Sequence, residues 1–417
     1  MLDAAIGSGR HERQCVFEVF ARRLPDSRRY GVVAGTGRLL ELIEEFRFGD
    51  EELSFLASNS VVSPTTIEWL ANYRFTGDIS GYREGDAYFP GSPVLTVEGT
   101  FAEAVLLETL ALSVLNYDSA VASAAARMVS AADARPLAEM GSRRTGERSA
   151  VASARAAYIA GFNATSNLEA GRSWGVPTMG TAAHSFTLLH DSEEEAFQAQ
   201  VDALGSSTTL LVDTYDVENA VELAVKVAGT GLGAVRIDSG DLATQVASVR
   251  AQLDSLGATK TRITVTNDLD EHAIAALRAA PVDSFGVGTS VVTGSGYPAA
   301  GMVYKLVAHQ NDAREWVSVA KKSTAKATVG GHKAAIRTME GGVAASELIY
   351  QTQDARPEVE GRDLIVPLMT TGTADKQWLG DGGTLAAREH RENAMAELPQ
   401  TAFRLSRGEP VLPTLYR

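Results

Sequence analysis

The chain has 417 residues, of which 45% are hydrophobic and 22% charged, a composition typical of a folded globular protein that excludes wholesale disorder. The net charge of −14 argues against nucleic acid and anionic membrane surfaces as partners, because both require a basic face. A chain of this length exceeds the usual size of one hydrophobic core, so we expect two domains. No apolar run in the sequence approaches the length of a membrane span.

Cysteine and histidine usage limits the metal and redox chemistry of the chain. The single cysteine, Cys15, excludes an internal disulfide and a cysteine-rich zinc site. The 7 histidines lack ligand spacing, so we expect no structural metal. Together with the absence of a signal peptide pattern, the lone cysteine predicts a cytoplasmic protein.

The first hundred residues alternate strand patterns with turns. Residues 15–20 predict a strand, and residues 31–46 pass from a glycine-rich turn into an amphipathic helix. Gly35-Thr36-Gly37 is interpreted as that turn, because a nucleotide-binding fingerprint also needs a preceding strand and a third glycine. Residues 75–100, punctuated by glycines, predict short antiparallel strands. We therefore predict an α+β domain over residues 1–100.

Residues 138–190 carry more charge, glycine and hydroxyl groups than a structural helix or strand needs. Arg143 and Arg144 follow a glycine, and arginine pairs can bind carboxylate or phosphate oxygens with two parallel hydrogen bonds. A solvated helix end explains these arginines equally well, because arginine is common on protein surfaces. His184 alone is ambiguous too, since isolated histidines more often have structural roles.

The central region has a βα rhythm. Four apolar runs of strand length are separated by helical patterns, and they cover residues 210–216, 234–241, 263–270 and 284–290. Strands that alternate with helices imply parallel strands joined by crossovers. Each run ends in acidic, hydroxyl or glycine residues, as in barrels whose active sites lie at strand carboxyl ends. We predict an irregular, TIM-like α/β barrel domain over residues 101–340, and part of residues 340–417 is expected to join the smaller α+β domain.

Two of these strand ends predict ligand contacts. Asp238-Ser239-Gly240-Asp241 places carboxylates and a hydroxyl around a glycine, so the loop can approach a polyhydroxyl ligand such as a sugar. Gly286-Val287-Gly288-Thr289 offers backbone N–H groups and a hydroxyl, which suit a terminal phosphate. The later basic run at residues 320–337 is compatible with phosphate contact and equally with a solvated hairpin.

The order of residues in the segment 138–190 resembles the nicotinate phosphoribosyltransferase family. The motifs E-[FM]-G-x-R-R, G-F-x-x-[ST]-S-N and G-[VI]-P-x-x-G-T-x-A-H-S-[FW] correspond to residues 139–144, 161–167 and 175–186, and the similarity extends over most of the chain. The resemblance implies an enzyme of NAD salvage that joins nicotinate to phosphoribosyl pyrophosphate. It also implies coupling to ATP hydrolysis through a phosphohistidine, which by motif position is His184.

The resemblance also assigns roles to individual residues. Arg236 and Asp238 fall on ligand-contacting positions, and a carboxylate there can stabilise the positive charge that grows on ribose C1 as pyrophosphate leaves. The other residues expected to bind substrates or hold the histidine ring are Arg143, Arg144, Thr181, Ser185, Ser239, Gly240, Asp241, Asn267, Asp268, Gly286, Gly288 and Thr289. Phosphoryl transfer from ATP requires Mg²⁺, for which Asp213, Asp238 and Asp241 are candidate ligands without a choice among them.

Two alternatives remain at the level of sequence. A related pyridine phosphoribosyltransferase could use nicotinamide or quinolinate, but a quinolinate enzyme needs no phosphohistidine, and Pro177 stands where nicotinamide-accepting relatives carry an aspartate. The second alternative is a catalytically silent relative that only binds a ligand. Family members usually begin with T-D-x-Y-x-L-T-M, whose tyrosine stacks on the pyridine ring, and this chain starts near the end of that segment. Because Met140 also replaces a frequent stacking phenylalanine, we expect weakened nicotinate binding, unless Phe162 or Tyr304 takes over.

The resemblance implies a homodimer in which each active site is completed by the N-terminal region of the neighbouring subunit. A long apolar helix, predicted over residues 103–129, offers a face that could pack against a second copy. The sequence gives no independent reason for dimerisation, because a chain of this size can bury its own core.

Overall fold

The computed structural model describes residues 1–321 and 328–417, and the chain forms two compact units. The first consists of Met1–Ser123 together with Tyr297–Arg417, and the second of Ala124–Gly296. The basic run predicted from the sequence falls in part on residues 322–327, which lie outside the described residues.

The N-terminal part of the chain has short strands and helices, as its turn-rich sequence predicts. Its helices are α1 (Leu2–Gly7), α2 (Thr36–Glu45), α3 (Asp50–Ser58), α4 (Pro64–Ala71) and α5 (Phe101–Ala132), and its strands are β1 (Gln14–Ala21), β2 (Gly31–Val32), β3 (Asp78–Tyr82), β4 (Ala87–Tyr88) and β5 (Leu95–Thr100). Helix α2 begins after Gly35, whose φ of +96° lies in the left-handed region that glycine adopts most easily. The predicted turn at this position is therefore confirmed.

The second unit alternates strands and helices. Its elements are β6 (Leu137–Glu139), α6 (Glu147–Ile159), β7 (Ala164–Thr165), α7 (Leu168–Trp174), α8 (His184–Leu189), α9 (Glu193–Leu204), β8 (Thr209–Leu211), α10 (Val217–Ala228), β9 (Ala234–Ile237), α11 (Leu242–Ser255), β10 (Arg262–Val265), α12 (Glu271–Ala276), β11 (Ser284–Val287) and α13 (Thr289–Val292). The six strands form one sheet in the order β7-β6-β11-β10-β9-β8, and every pairing is parallel. The sheet is curled into a half-barrel, so the predicted α/β barrel fold is confirmed.

The four predicted central strands are present but shorter than the apolar runs. Strand β9, for example, ends at Ile237, although the run was predicted to continue to residue 241. The strand ends where the polar residues begin. There the Asp238 N–H and the Ser239 hydroxyl both donate to the Asp213 carboxylate in the loop after β8, and not to the backbone of an adjacent strand. Consequently Asp238, Ser239 and Asp241 lie beyond the end of β9, whereas Arg236 lies within it.

The C-terminal part returns to the first unit. It contains β12 (Met302–Gln310), β13 (Trp316–Ser318), β14 (Lys333–Glu340), β15 (Val343–Gln351), β16 (Gly361–Asp363), β17 (Ile365–Thr370), β18 (Thr373–Ala374), α14 (Gly380–Ala396) and β19 (Thr414–Tyr416), with 3-10 turns at Lys376–Trp378 and Gln400–Phe403. A seven-stranded antiparallel sheet has the order β13-β12-β1-β5-β3-β17-β18, and a four-stranded sheet has the order β16-β14-β15-β19.

Long-range strand pairing sets the division into units, which differs from the sequence-based bounds of 1–100 and 101–340. Strand β12 pairs with β1 along seven residues, so the chain after Tyr297 is part of the first unit's sheet. The α+β unit is accordingly the larger of the two and not the smaller. No local pattern reveals a pairing between residues that are almost 300 positions apart.

Helix α5 is the longest helix of the described residues, and many of its apolar side chains are buried. Leu107, Val114 and Leu115 are buried in the core of the first unit together with residues of β1 and β5. The apolar face predicted as a dimer contact is thus largely occupied by the chain's own core. By length and composition alone α5 could also cross a membrane, contrary to the expectation of no such run, but half of its most apolar stretch is buried in the protein, as in a core helix of a soluble protein.

Candidate active site

A cleft of about 480 Å³ lies at the carboxyl ends of the parallel strands in the second unit. Most residues that line it lie at or just after the carboxyl ends of β6, β7, β9, β10 and β11, because parallel strands bring these ends to one edge of the sheet, and the segment before α8 supplies the others. Each strand contributes only one or a few residues to the cleft. The site is therefore assembled from segments that are far apart in the sequence.

Arg236 and Asp238 form the charged centre of the cleft. The Arg236 side chain is 13% exposed, and its Nη2 lies 3.1 Å from Oδ2 of Asp238. Its Nη1 donates to the Thr181 hydroxyl at 2.8 Å, and its Nε donates to the Thr266 hydroxyl at 3.0 Å. These bonds fix the guanidinium from several sides, so its position does not depend on a bound ligand.

His184 begins helix α8, and its ring lies beside two carboxylates. Its Nδ1 is 3.1 Å from the Thr214 hydroxyl, and its Nε2 is 3.9 Å from both Oδ1 of Asp213 and Oδ2 of Asp238. The Asp213 carboxylate is 1% exposed, and its Oδ2 accepts from the Asp238 N–H at 2.8 Å and from the Ser239 hydroxyl at 2.7 Å. Its Oδ1 is buried without a hydrogen-bond donor among the described residues. A buried anionic oxygen without a donor favours a cation next to it.

The arginine-containing turn Ser142–Arg144 is held by a buried carboxylate, Glu139. Oε1 of Glu139 accepts from the Gly141 N–H at 2.5 Å, and Oε2 accepts from the Thr165 hydroxyl at 2.6 Å. Burial raises the pKa of Glu139, although these two hydrogen bonds act in the opposite direction. Asn167 completes the connection, because its amide donates to the Ser142 hydroxyl at 3.0 Å. The ends of β6 and β7 are thereby tied together below the two arginines.

We expect Glu139→Ala to reduce the free energy of unfolding of the second unit by roughly 1–3 kcal/mol, because the buried Gly141 N–H and the Thr165 hydroxyl lose their acceptor. Glu139→Gln should cost less than about 1 kcal/mol, since its amide oxygen can accept from Gly141 while its NH₂ group donates to Thr165. Chemical denaturation and hydrogen exchange of the Ser142–Arg144 turn measure both effects. Equal damage from the two substitutions would contradict this explanation, because it would show that the charge matters and not the hydrogen bonds.

Backbone geometry also marks the cleft. Asn267 and Asp268, which follow β10, have φ values of +98° and +33°, a region that side-chain-bearing residues rarely occupy. Such conformations persist where surrounding structure fixes them, and they concentrate at binding and catalytic sites. At Gly286 the space is tight, because an added Cβ would lie 2.6 Å from Cγ2 of Thr266 and 2.7 Å from Sδ of Met140. Glycine at this position lets the side chains from β6 and β10 reach the cleft.

Comparison with known proteins identifies the family. The family model for the nicotinate phosphoribosyltransferase N-terminal domain matches residues 1–116, and the model for the nicotinate phosphoribosyltransferase family matches residues 136–354. Nicotinate phosphoribosyltransferase pncB1 of Mycobacterium tuberculosis is 55% identical over 426 residues, covering 99% of this chain and 92% of that protein. The chain belongs to the nicotinate phosphoribosyltransferase family.

Two further similarities agree with this membership. The nicotinate phosphoribosyltransferase of Bacillus subtilis is 37% identical over 316 residues, covering 73% of this chain and 64% of that protein. The crystal structure of human nicotinic acid phosphoribosyltransferase superposes with a TM-score of 0.84 at 25% identity, covering 99% of this chain and 96% of that chain. The predictions of this family and of an enzyme are therefore confirmed.

The structure brings most of the predicted site residues of this family member together. The predicted residues that line the cleft are Arg143, Arg144, Thr181, Arg236, Asp238, Asn267, Asp268, Gly286, Gly288 and Thr289. His184 lies next to them through Asp238. Four other predicted residues, Ser185, Ser239, Gly240 and Asp241, are not on the cleft wall. Of these, Ser239 bonds to Asp213, and the Asp241 carboxylate caps helix α11 by accepting from the Thr244 N–H at 3.3 Å.

Several residues on or beside the cleft wall were missed or only partly recognised from the sequence. Glu139, Thr214 and Thr266 were not predicted, and Asp213 was considered only as a magnesium ligand. All four lie at or just after the end of a parallel strand, so a search of every strand end for polar residues would have found them. The two aromatic residues considered as stacking partners are buried elsewhere: Phe162 is fully buried, and Tyr304 stacks on Phe17 in the core of the first unit.

Proposed function

We propose that this enzyme joins nicotinate to phosphoribosyl pyrophosphate, giving nicotinate mononucleotide and pyrophosphate, and that it couples this reaction to ATP hydrolysis through phosphorylation of His184. Its setting is NAD salvage in the cytoplasm. The observation that carries the proposal is the juxtaposition of His184 with the Arg236–Asp238 pair, within a cleft bordered by two further arginines, in a chain of this family. Small-molecule substrates with several phosphate groups match a cleft of this size and charge.

The cationic groups of the cleft are suited to the phosphates of the sugar substrate. Arg143 and Arg144 are both exposed on the cleft wall, where their guanidinium groups can each bind two phosphate oxygens. Gly288 leaves room for close approach, because an added Cβ would find its nearest atom 3.4 Å away, and Thr289, the next residue, also lines the cleft. We assign the pyrophosphate to the arginines and the 5′-phosphate to the Gly288-Thr289 segment.

Asp238 is placed to stabilise positive charge on the ribose. Its carboxylate is 30% exposed, and one oxygen is held by Arg236 while the carboxylate remains on the cleft wall. Charge that develops on ribose C1 as pyrophosphate leaves is stabilised best by an anion that is already fixed in position. The role is electrostatic, and no covalent bond to Asp238 is required.

The ring contacts of His184 favour one nucleophilic nitrogen. The Thr214 hydroxyl can accept a hydrogen bond from Nδ1–H, and this tautomer leaves the lone pair of Nε2 free. A neutral imidazole nitrogen is a competent nucleophile toward the γ-phosphorus of ATP. In that step a bond forms between Nε2 and phosphorus as the bond from phosphorus to the bridging oxygen of ADP breaks.

The residues present fit Mg²⁺ bound together with substrate phosphates. Asp213 and Asp238 supply carboxylate oxygens, and the buried Oδ1 of Asp213 lacks a donor among the described residues. The described residues contain no group of three or more metal-ligating side chains, so water and phosphate oxygens would complete the coordination shell. When bound, Mg²⁺ neutralises charge on the transferred phosphoryl group.

The deciding experiment compares labelled nicotinate, nicotinamide and quinolinate as acceptors of the phosphoribosyl group, with and without ATP and Mg²⁺. We expect nucleotide product from nicotinate and a faster rate with ATP. Product from quinolinate with release of CO₂, or product from nicotinamide alone, would identify a different pyridine phosphoribosyltransferase. The absence of product from all three, with phosphoribosyl pyrophosphate still bound, would identify a catalytically silent relative.

We also propose a homodimer, in keeping with the family. Three leucines of the second unit, Leu168, Leu188 and Leu189, are between 61% and 78% exposed, and a second copy of the chain could bury such apolar side chains. Sedimentation velocity at micromolar concentration is expected to show a dimer. A monomer with full activity would contradict this proposal.

A further inference from the structure

Thr266 contacts both members of the charged pair at the centre of the cleft. Its hydroxyl accepts from Nε of Arg236 at 3.0 Å and donates to Oδ1 of Asp238. The other carboxylate oxygen, Oδ2, lies 3.1 Å from Nη2 of the same arginine and 3.9 Å from Nε2 of His184. The side chains of Thr266, Arg236 and Asp238 therefore form a closed ring of polar contacts. In this ring the hydroxyl lies between Nε of the guanidinium and Oδ1 of the carboxylate.

This position of the hydroxyl changes how arginine and aspartate meet. Without an intervening group, a guanidinium and a carboxylate usually form two parallel hydrogen bonds, through Nε and Nη2 to the two oxygens. Here only Nη2 contacts the carboxylate directly, whereas Nε bonds to the Thr266 hydroxyl, which in turn donates to the carboxylate. The hydroxyl thus keeps the pair from closing into a mutually neutralised bidentate ion pair.

The rest of the structure fixes the Thr266 side chain in this orientation. Thr266 is 3% exposed, and its N–H donates to the Ile237 carbonyl at 3.0 Å, which continues the ladder between β9 and β10. Its methyl group lies where the neighbouring strand has Gly286, and a Cβ at that position would come within 2.6 Å of it. The glycine therefore accommodates the methyl group, and the hydroxyl is turned toward Arg236 and Asp238.

We propose that Thr266 is a positioning residue for the chemical step, holding Oδ1 of Asp238 apart from Nε of Arg236 so that the carboxylate charge faces the ribose and His184. This inference rests on the proposed function. Removal of the hydroxyl lets Nε of Arg236 bond directly to Oδ1 of Asp238, so that the two side chains form a bidentate pair. A carboxylate engaged in that way stabilises developing charge on the sugar less well, while the cleft keeps its shape and its arginines.

The test uses three single variants of the 417-residue chain. Thr266→Val keeps the branched shape and removes the hydroxyl, whereas Thr266→Ser keeps the hydroxyl and removes the methyl group. Thr264→Val is the matched control, because Thr264 lies two residues earlier on the same face of β10, is 7% exposed, and bonds to the Ser284 hydroxyl at 2.8 Å. Rates of nicotinate mononucleotide formation are measured over a range of phosphoribosyl pyrophosphate and nicotinate concentrations.

We expect Thr266→Val to lower kcat by about 10- to 100-fold, the effect of losing hydrogen bonds to charged groups, while KM for both substrates stays within about threefold. Thr266→Ser should recover kcat to within about threefold of the wild type, and Thr264→Val should leave it within about twofold. Thermal unfolding temperatures of the two valine variants are expected to agree. If the hydroxyl had a purely structural role, we would not expect Thr266→Ser to recover kcat while KM stays unchanged in Thr266→Val.

Three results would overturn the inference. They are wild-type kcat in Thr266→Val, a rise in KM with unchanged kcat, and equal loss of kcat in Thr266→Val and Thr264→Val. Failure of the proposed function is distinguishable from all three, because the wild-type enzyme would then form no nicotinate mononucleotide.

Discussion

His184→Ala is expected to abolish ATP stimulation of nicotinate mononucleotide formation and to leave the slow ATP-independent reaction. The imidazole is the proposed phosphoryl acceptor, and its removal takes away the only step through which ATP would act. The proposed phosphate and ribose contacts lie on Arg143, Arg236 and the Gly288-Thr289 segment, whose positions on the cleft wall do not require the ring. The ratio of rates with and without ATP should fall to unity, and labelling of the protein by γ-labelled ATP should disappear.

His190→Ala is the matched control for this prediction. It removes the same side chain six residues further along, where Nδ1 bonds to the Phe186 carbonyl at 2.9 Å and the ring packs against Phe186. This variant should keep both ATP stimulation and labelling. Persistent ATP stimulation in His184→Ala, without label on another histidine, would rule out His184 as the phosphorylated residue.

Arg337→Met is expected to reduce the free energy of unfolding of the first unit by roughly 3–5 kcal/mol, the cost of leaving buried carboxylates without their counter-charge. Arg337 on β14 is fully buried, and it donates to Asp86 at 2.8 Å and to Glu347 on β15 at 2.5 Å. Methionine fills much of the volume but supplies no charge and no donor. Hydrogen exchange of peptides from β14 and β15, measured as a function of denaturant, reports the change in this unit directly.

The two carboxylates in this cluster respond differently to their surroundings. Burial by itself would raise the pKa of Asp86, but Arg337, His390 and Arg362 outweigh it and hold the pKa below its usual range. Glu347 is equally buried and has Arg337 as its ion-pair partner, so burial prevails and its pKa is raised. Loss of Arg337 is therefore expected to affect Glu347 most.

The destabilisation should depend on pH in a definite direction. In Arg337→Met the folded-state pKa of Glu347 rises further above its unfolded value, so the native state binds more protons than the unfolded state. Stability of the variant relative to the wild type must then fall as pH rises through this interval, and the deficit should be smaller at pH 5 than at pH 7.

Arg356→Met is the control for the burial argument. Arg356 also forms an ion pair, with Asp363 at 2.9 Å, but the two side chains are 43% and 60% exposed. Exposed pairs contribute at most about 1 kcal/mol, so this variant should be close to wild type at both pH values. Comparable losses in the two variants would contradict the assignment of the effect to buried, unpaired carboxylates.

Most of the residues in the cleft could be predicted from the sequence because local patterns mark them. The apolar run before Arg236 and the polar residues after it predict a strand end, and the order Gly-Thr-Ala-Ala-His-Ser identifies the family's histidine segment. The resemblance could not separate the residues on the cleft wall from their neighbours in the same loop. Asp238 lines the cleft, while Asp241, only three residues later, caps a helix, because the turn at Gly240 directs the two carboxylates to different partners.

The sequence by itself determined the parallel α/β character of the central region, the family, and the identity of the charged groups in the cleft. These features depend on hydrophobic periodicity and on motifs whose residues are close together in the chain. Only the tertiary structure decided that β12 completes the sheet of β1, that Glu139 supports the arginine turn, and that Thr266 stands between Arg236 and Asp238. Each of these depends on hydrogen bonds between backbone or side chains that folding brings together, and the register of such pairings is set by packing of the whole unit rather than by any local pattern.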